Sequence, residues 1–343
     1  MGKKNNSNKK TDNKKIDNKK NDNKKTIVAV IVCIIISASV LLITFTIDFE
    51  TSVTLPETSV TLPETSVTLP ETSVTLPETS GMMSDYIRNL SDTHQNYVSI
   101  GVSYFDAYLT DNDVVRVNNN FVPIDGIRVT LNESTAEQII DALKPNNNSV
   151  VIYPIFTSAA YHEPGFYTYF GGNCDESCVT DISFENPEFK YTSSGLTAQI
   201  LYHVGYDFLT EIEVDKNPEL LQNYDTVILL HNEYVTKKMF DAISNHPNLI
   251  FLAPNALYAE INVNYDDNTM TLIRGHNYPE FEIKNGFDYE IEERFHQYEY
   301  DTECLTWEFI EIENGFHLNC YPDGVIHQNL DILLKMKELT SDS

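Results

Sequence analysis

Basic residues are scarce beyond the first 25 positions of this 343-residue chain. The whole holds 23 Lys and Arg against 51 Asp and Glu, a net charge of −28. The first 25 residues take ten of the Lys and only three Asp, so they carry +7 and the other 318 carry −35. A surface that acidic argues against nucleic acid as a partner and suits a salty or cation-rich exterior. Cysteine is also sparse, five in all, with none between Cys178 and Cys304. That gap excludes thiol chemistry from the centre of the chain. Glycine numbers only 13, and no Gly-rich loop of the phosphate-binding kind occurs. Trp307 is the single tryptophan.

What is present divides the chain. Residues 1–25 repeat an Asn-Lys-Lys unit with almost no apolar side chains, the composition of a disordered tail. Thr26 to Ile47 is a run of 22 residues without a charge. At about 1.5 Å per residue a helix of that length spans a bilayer core. A cleaved signal peptide is the rival reading, but the apolar run is long for one and Ile36-Ser37-Ala38 is a poor cleavage site. The expectation is a single-pass membrane anchor with the Lys-rich tail cytoplasmic and the C-terminal part extracellular. Residues 48–81 hold the heptapeptide Glu-Thr-Ser-Val-Thr-Leu-Pro four times over, from Glu50 to Pro77. Proline at every seventh position forbids a continuous helix, so an extended stalk is expected.

The rest is long enough for a sizeable core. Asn89, Asn132 and Asn147 stand in glycosylation sequons. Cys174–Cys178 and Cys304–Cys320 are the expected disulfides on nearness alone; a thiolate metal pair at Cys174 and Cys178 is the alternative. Residues 82–148 read as a lead-in α+β layer, with strands over Tyr97–Tyr108 and Val114–Thr130, the second interrupted at Pro123 and Gly126. Ser134-Thr135-Ala136-Glu137 there is a capping box.

Residues 149–343 read as an α/β domain. Strands are expected at Ser149–Ile155, Phe208–Val214, Val227–Leu230 and Leu249–Leu252, with helices at Ser194–Val204, from Pro218, and through Val235, Met239, Phe240 and Ile243. Continuous apolar runs of this kind suit strands buried on both faces. A long irregular segment, Tyr161 to Tyr191, interrupts them. Antiparallel strands are expected at Thr269–Arg274 and Phe309–Cys320, and a closing helix at Ile326–Lys337. The alternation predicts a doubly wound, mostly parallel sheet with right-handed crossovers and antiparallel additions. Ligands of such sheets bind beyond the carboxyl ends of the strands. Two ends here carry polar residues, His231-Asn232-Glu233 and Asn255.

The strand, polar elbow and helix at 225–244 resemble the class I glutamine-amidotransferase-like fold, although no Cys stands at the elbow. A closer resemblance is to the C-terminal domain of the N,N-dimethylformamidase large (beta) subunit. It rests on His231-Asn232-Glu233-Tyr234, Asn255-Ala256-Leu257, Phe156-Thr157 with Ala160-Tyr161, and Gly165 with Tyr169. The resemblance implies iron-dependent hydrolysis of an amide, with iron held by Tyr161, Tyr169 and Glu233. It also implies His231 as base or proton shuttle and Asn255 as an orienting group. Other roles for the same residues stay open. Glu233 and His231 suit a helix cap, Asn255 a turn, and the tyrosines ordinary loop packing. His276 and Glu280 either line the same cleft or form a surface turn, the turn being preferred. The alternative function is a non-catalytic cell-surface module that binds its ligand through the same fold.

Overall fold

The computed structural model describes residues 96–98, 104–109, 114–117, 120–123, 128–185, 187–289 and 301–340. The expected tail, membrane span and stalk lie outside these residues. Among the described residues no helix is long and apolar enough to cross a membrane.

The lead-in layer is β1 (Asn96–Val98), β2 (Phe105–Leu109), β3 (Val114–Val117), β4 (Asn120–Pro123), β5 (Arg128–Leu131) and α1 (Ala136–Leu143). The order β1-β2-β5 makes an antiparallel sheet, and β3 and β4 pair separately. The interrupted strand expected over Val114–Thr130 is three short strands, with β4 ending at Pro123. Gln199 ties β5 to the main domain by accepting the Val129 N–H at 2.8 Å.

The main domain follows as β6 (Ser149–Tyr153), α2 (Ile155–Ala160), α3 (Phe166–Phe170), β7 (Ile182–Ser183), α4 (Gly195–His203), β8 (Asp207–Thr210) and α5 (Glu211–Lys216). Then come β9 (Thr226–Leu229), β10 (Tyr234–Thr236), α6 (Lys237–Ser244), β11 (Leu249–Phe251), β12 (Ala259–Asn264) and β13 (Thr269–Arg274). Last are β14 (Phe309–Ile312), β15 (Gly315–Leu318) and α7 (Leu330–Leu339). A six-stranded mixed sheet has the order β14-β15-β11-β9-β6-β8, with only β14 antiparallel. All five residues of β6 and all four of β9 are buried, which is why both read as unbroken apolar runs. Taken in chain order, the five parallel strands lie 2-1-3-4-5. Successive connections depart in opposite directions from β6 and β9, and the crevice between their carboxyl ends is the place where such sheets bind ligands.

Three departures from the sequence expectation matter for the site. The strand from Ser149 ends at Tyr153, because Pro154 cannot donate to the ladder and the chain turns into α2. The strand expected over Phe208–Val214 stops at Thr210, whose side chain and Glu213 form a reciprocal cap that starts α5. The elbow after β9 leads first into a second strand, β10, parallel to β12 in a separate sheet β10-β12-β13-β7. The elbow thus links two sheets before α6 begins. Both expected disulfides form, Cys174–Cys178 and Cys304–Cys320.

Candidate functional site

The elbow is fixed by its backbone. The Glu233 and Tyr234 N–H groups both donate to Thr157 Oγ1 of α2, at 2.9 and 3.2 Å. The Asn232 carbonyl accepts the Leu257 N–H, and the Glu233 carbonyl accepts those of Tyr258 and Ala259. These hydrogen bonds tie the buried backbone of the elbow to α2 and to the start of β12.

The Glu233 side chain is fully buried at 0% exposure. The Tyr161 hydroxyl donates to its Oε2 at 3.1 Å, and the Tyr167 hydroxyl to its Oε1 at 3.0 Å. The two hydroxyls lie 2.8 Å apart, and the rings stack with centroids 4.0 Å apart. His276 Nε2 is 2.7 Å from Oε1, and His231 Nε2 is 3.5 Å from Oε2. Burial pushes the Glu233 carboxyl up, but His276, His231 and the Tyr167 hydroxyl outweigh it, and the net direction is down. The carboxylate stays ionised inside the protein. Burial first, and then the Glu233 charge, hold both phenols well above the ordinary tyrosine range.

His231 is oriented as a base. Its ring lies 2.7 Å through Nδ1 from the Thr192 carbonyl, which can only accept, so Nδ1 carries the proton. Its Nε2 is left facing Glu233, with the Asn255 side chain interacting with the ring. Burial lowers its basicity more than Glu233 and these hydrogen bonds raise it. His231 is therefore neutral at neutral pH.

Of the residues singled out from the sequence, Tyr161, His231, Glu233 and Asn255 meet at this point. Tyr169 does not hydrogen-bond Glu233; its ring packs edge-on against Phe170 and Tyr278. The second tyrosine on the carboxylate is Tyr167. Two residues along a helix turn a side chain by about 200°, so the two tyrosines of α3 face opposite sides. His276 joins the cluster, while Glu280 is exposed. The surface-turn preference for His276 missed it because β13 and a turn with positive φ at Gly275, His276 and Asn277 carry it inward. No local pattern signals that.

Glu211 was not picked out either. It lies at 0% exposure behind the site. Its carboxylate accepts the Phe156 N–H at 2.6 Å and the Asn232 side-chain amide at 2.8 Å. It thereby joins the start of α2 to the elbow.

A surface cleft of about 530 Å³ reaches Tyr161 and Thr192, with Glu163, Glu188 and Lys190 along its walls. Among the described residues no group of three or more His, Cys, Asp or Glu side chains could hold a metal ion by itself. The donors gathered here are of a different kind, two phenols and one carboxylate with two imidazoles beside them.

A family model described as N,N-dimethylformamidase beta subunit-like, C-terminal, matches residues 127–298, a span that contains every residue of this cluster. No curated protein matches the chain.

Proposed function

The chain belongs to the N,N-dimethylformamidase beta subunit-like, C-terminal family, and from that premise we propose that it hydrolyses an amide C–N bond at the Glu233 cluster. The observation that carries this is the convergence of the Tyr161 and Tyr167 hydroxyls on a buried, ionised Glu233 at the carboxyl end of β9. The parallel strand order supports a doubly wound, flavodoxin-like reading of the sheet, whose crevice is the expected ligand position.

The donor set fits iron. Three oxygens within hydrogen-bond distance of one another, two of them phenols with no other acid to neutralise, suit a hard cation. Tyr161, Tyr167 and Glu233 would hold it; Tyr169, the other candidate, lies away from the carboxylate. When bound, iron supplies Lewis-acid polarisation of the amide carbonyl and a lowered pKa of water. The chain's own residues do the rest. His231 Nε2, free of its proton, takes one from the attacking water and returns it to the departing nitrogen. The Thr192 carbonyl holds that tautomer. Asn255 steadies the ring and stands where it can orient the amide. The substrate class is a small amide, reached through the cleft beside Tyr161.

The test is iron content and amine release from small formamides by the full-length chain, wild type and Glu233→Gln together. The expected result is bound iron and hydrolysis in the wild type and neither in the variant. Wild-type protein that takes up no iron under aerobic or anaerobic loading would end this reading.

A second reading is favoured by one observation. Glu233 has no exposure and both tyrosine hydroxyls already donate to it, so the cluster is already a closed polar core. In that case the domain is a binding module, and Glu233→Gln alters stability but no ligand.

We also propose that the chain is anchored in the cell membrane by residues 26–47, with residues 82–343 outside. The uncharged span beside a +7 tail supports this, as do two disulfides of the kind that persist in oxidising compartments.

A further inference from the structure

His276 stands in an unusual relation to the carboxylate it touches. Its Nε2 is buried and 2.7 Å from Glu233 Oε1, and among the described residues it has no hydrogen-bond partner of good geometry. A nitrogen and a carboxylate oxygen that close, with no well-aligned hydrogen bond joining them, are placed as two ligands of one cation would be. The imidazole is also held in place. Its backbone N–H donates to the Lys284 carbonyl at 2.8 Å, and its ring packs on Tyr258 and Phe170 with centroids 4.5 and 5.6 Å away. The residue accepts a left-handed φ of 52° to reach this position, an arrangement non-glycine residues adopt at a cost.

The distances around Glu233 share one scale. Tyr161 to Tyr167 is 2.8 Å, Tyr161 to Oε2 3.1 Å, Tyr167 to Oε1 3.0 Å and His276 Nε2 to Oε1 2.7 Å. Donors at about 2.1 Å from one ion, and at right angles about it, stand about 3 Å apart. We propose that His276 is a fourth metal ligand, its Nε2 completing a set with the Tyr161 and Tyr167 oxygens and the Glu233 carboxylate. This rests on the iron reading above and changes its chemistry. Three oxygens alone suit Mg, Ca or Mn as well as iron; an imidazole nitrogen moves the preference toward iron, zinc and their neighbours. His231 is not part of the set. Its Nε2 is farther from the carboxylate, at 3.5 Å, and its Nδ1 is bound to the Thr192 carbonyl.

The experiment uses the full-length chain labelled with ¹⁵N-histidine and loaded with iron. Bound iron is measured after desalting, and nitrogen coupling to the ferric ion is read by pulsed electron paramagnetic resonance. Imidazole coupling is expected in the wild type and in His231→Ala. It should vanish in His276→Ala, whose iron affinity should fall more than tenfold. His276→Gln provides the same comparison if the alanine variant fails to fold. Iron-loaded wild type without imidazole coupling overturns the proposal and leaves the hydrolase reading standing. So does coupling that survives in His276→Ala or disappears only in His231→Ala. A wild type that binds no iron overturns both.

Discussion

Glu211 and Asn232 meet behind the site, the Glu211 Oε1 accepting the Asn232 side-chain amide at 2.8 Å, while Asn232 Oδ1 has no hydrogen-bond partner among the described residues. Asn232 is the residue between His231 and Glu233. One carboxyl group therefore sets both the amide start of α2, which holds Thr157 under the elbow, and the elbow itself.

Burial pushes the Glu211 carboxyl up to about 8, against hydrogen bonds from Asn232 and the α2 amides that pull it down. The folded state thus holds this proton more tightly than the unfolded chain, whose Glu titrates near 4.5. The Glu211 contribution to stability is full below the unfolded value and is lost as pH rises through the folded one. Glu211→Gln removes that dependence, and turning the Asn232 amide over would give the new side-chain NH₂ an acceptor. The difference in Tm between wild type and variant, followed from pH 5 to 9, should move steadily in the variant's favour. A pH-independent difference would show that Glu211 is not protonated in the folded protein.

Tyr167→Phe takes a hydroxyl donor from a buried carboxylate, and should cost about 1.5–3 kcal/mol in urea unfolding. Tyr169→Phe should stay within about 0.5 kcal/mol, since no hydrogen bond of that hydroxyl is present among the described residues. Equal losses would mean that the two tyrosines share the carboxylate.

Gly165 separates the two site tyrosines. A Cβ there would lie 2.4 Å from the His162 carbonyl oxygen and 2.7 Å from that of Ala160. Both are backbone atoms, so the loop must shift. Gly165→Ala should cost about 1–3 kcal/mol and weaken whatever binds at Glu233. An unchanged melting curve would show that the loop has room.

The two disulfides should separate under graded reductant. Cys304 and Cys320 are both buried, at 2% and 0% exposure, whereas Cys174 is partly open to solvent. Cys174–Cys178 should therefore open first with little loss of Tm. Opening Cys304–Cys320, which closes a longer loop, should cost about 3 kcal/mol. Thiol trapping with mass mapping at each step gives the order.

If residues 82–343 lie outside, protease added to intact cells should remove them and spare the Lys-rich tail. Protection of the C-terminal part would reverse the orientation or remove the anchor.

The sequence by itself determined the frame of the domain and one half of the site. Val227–Leu230 and Leu249–Leu252 read as buried strands because parallel sheets covered on both faces need unbroken apolar runs. Where those runs ended, His231, Glu233 and Asn255 had to stand at carboxyl ends. The disulfide pairs followed from nearness along the chain. Tertiary structure decided the rest. Pro154 and the Glu211 carboxylate turned the continuation of β6 into a helix, which put Thr157 beneath the elbow and Tyr161 beside it. Helical rotation selected Tyr167 over Tyr169, a choice invisible while that segment read as an irregular loop. His276 came from the turn after β13, 43 residues beyond Glu233 in the numbering. Contacts of that kind leave no local signal, because they depend on how one sheet is laid against another and not on the periodicity of either segment.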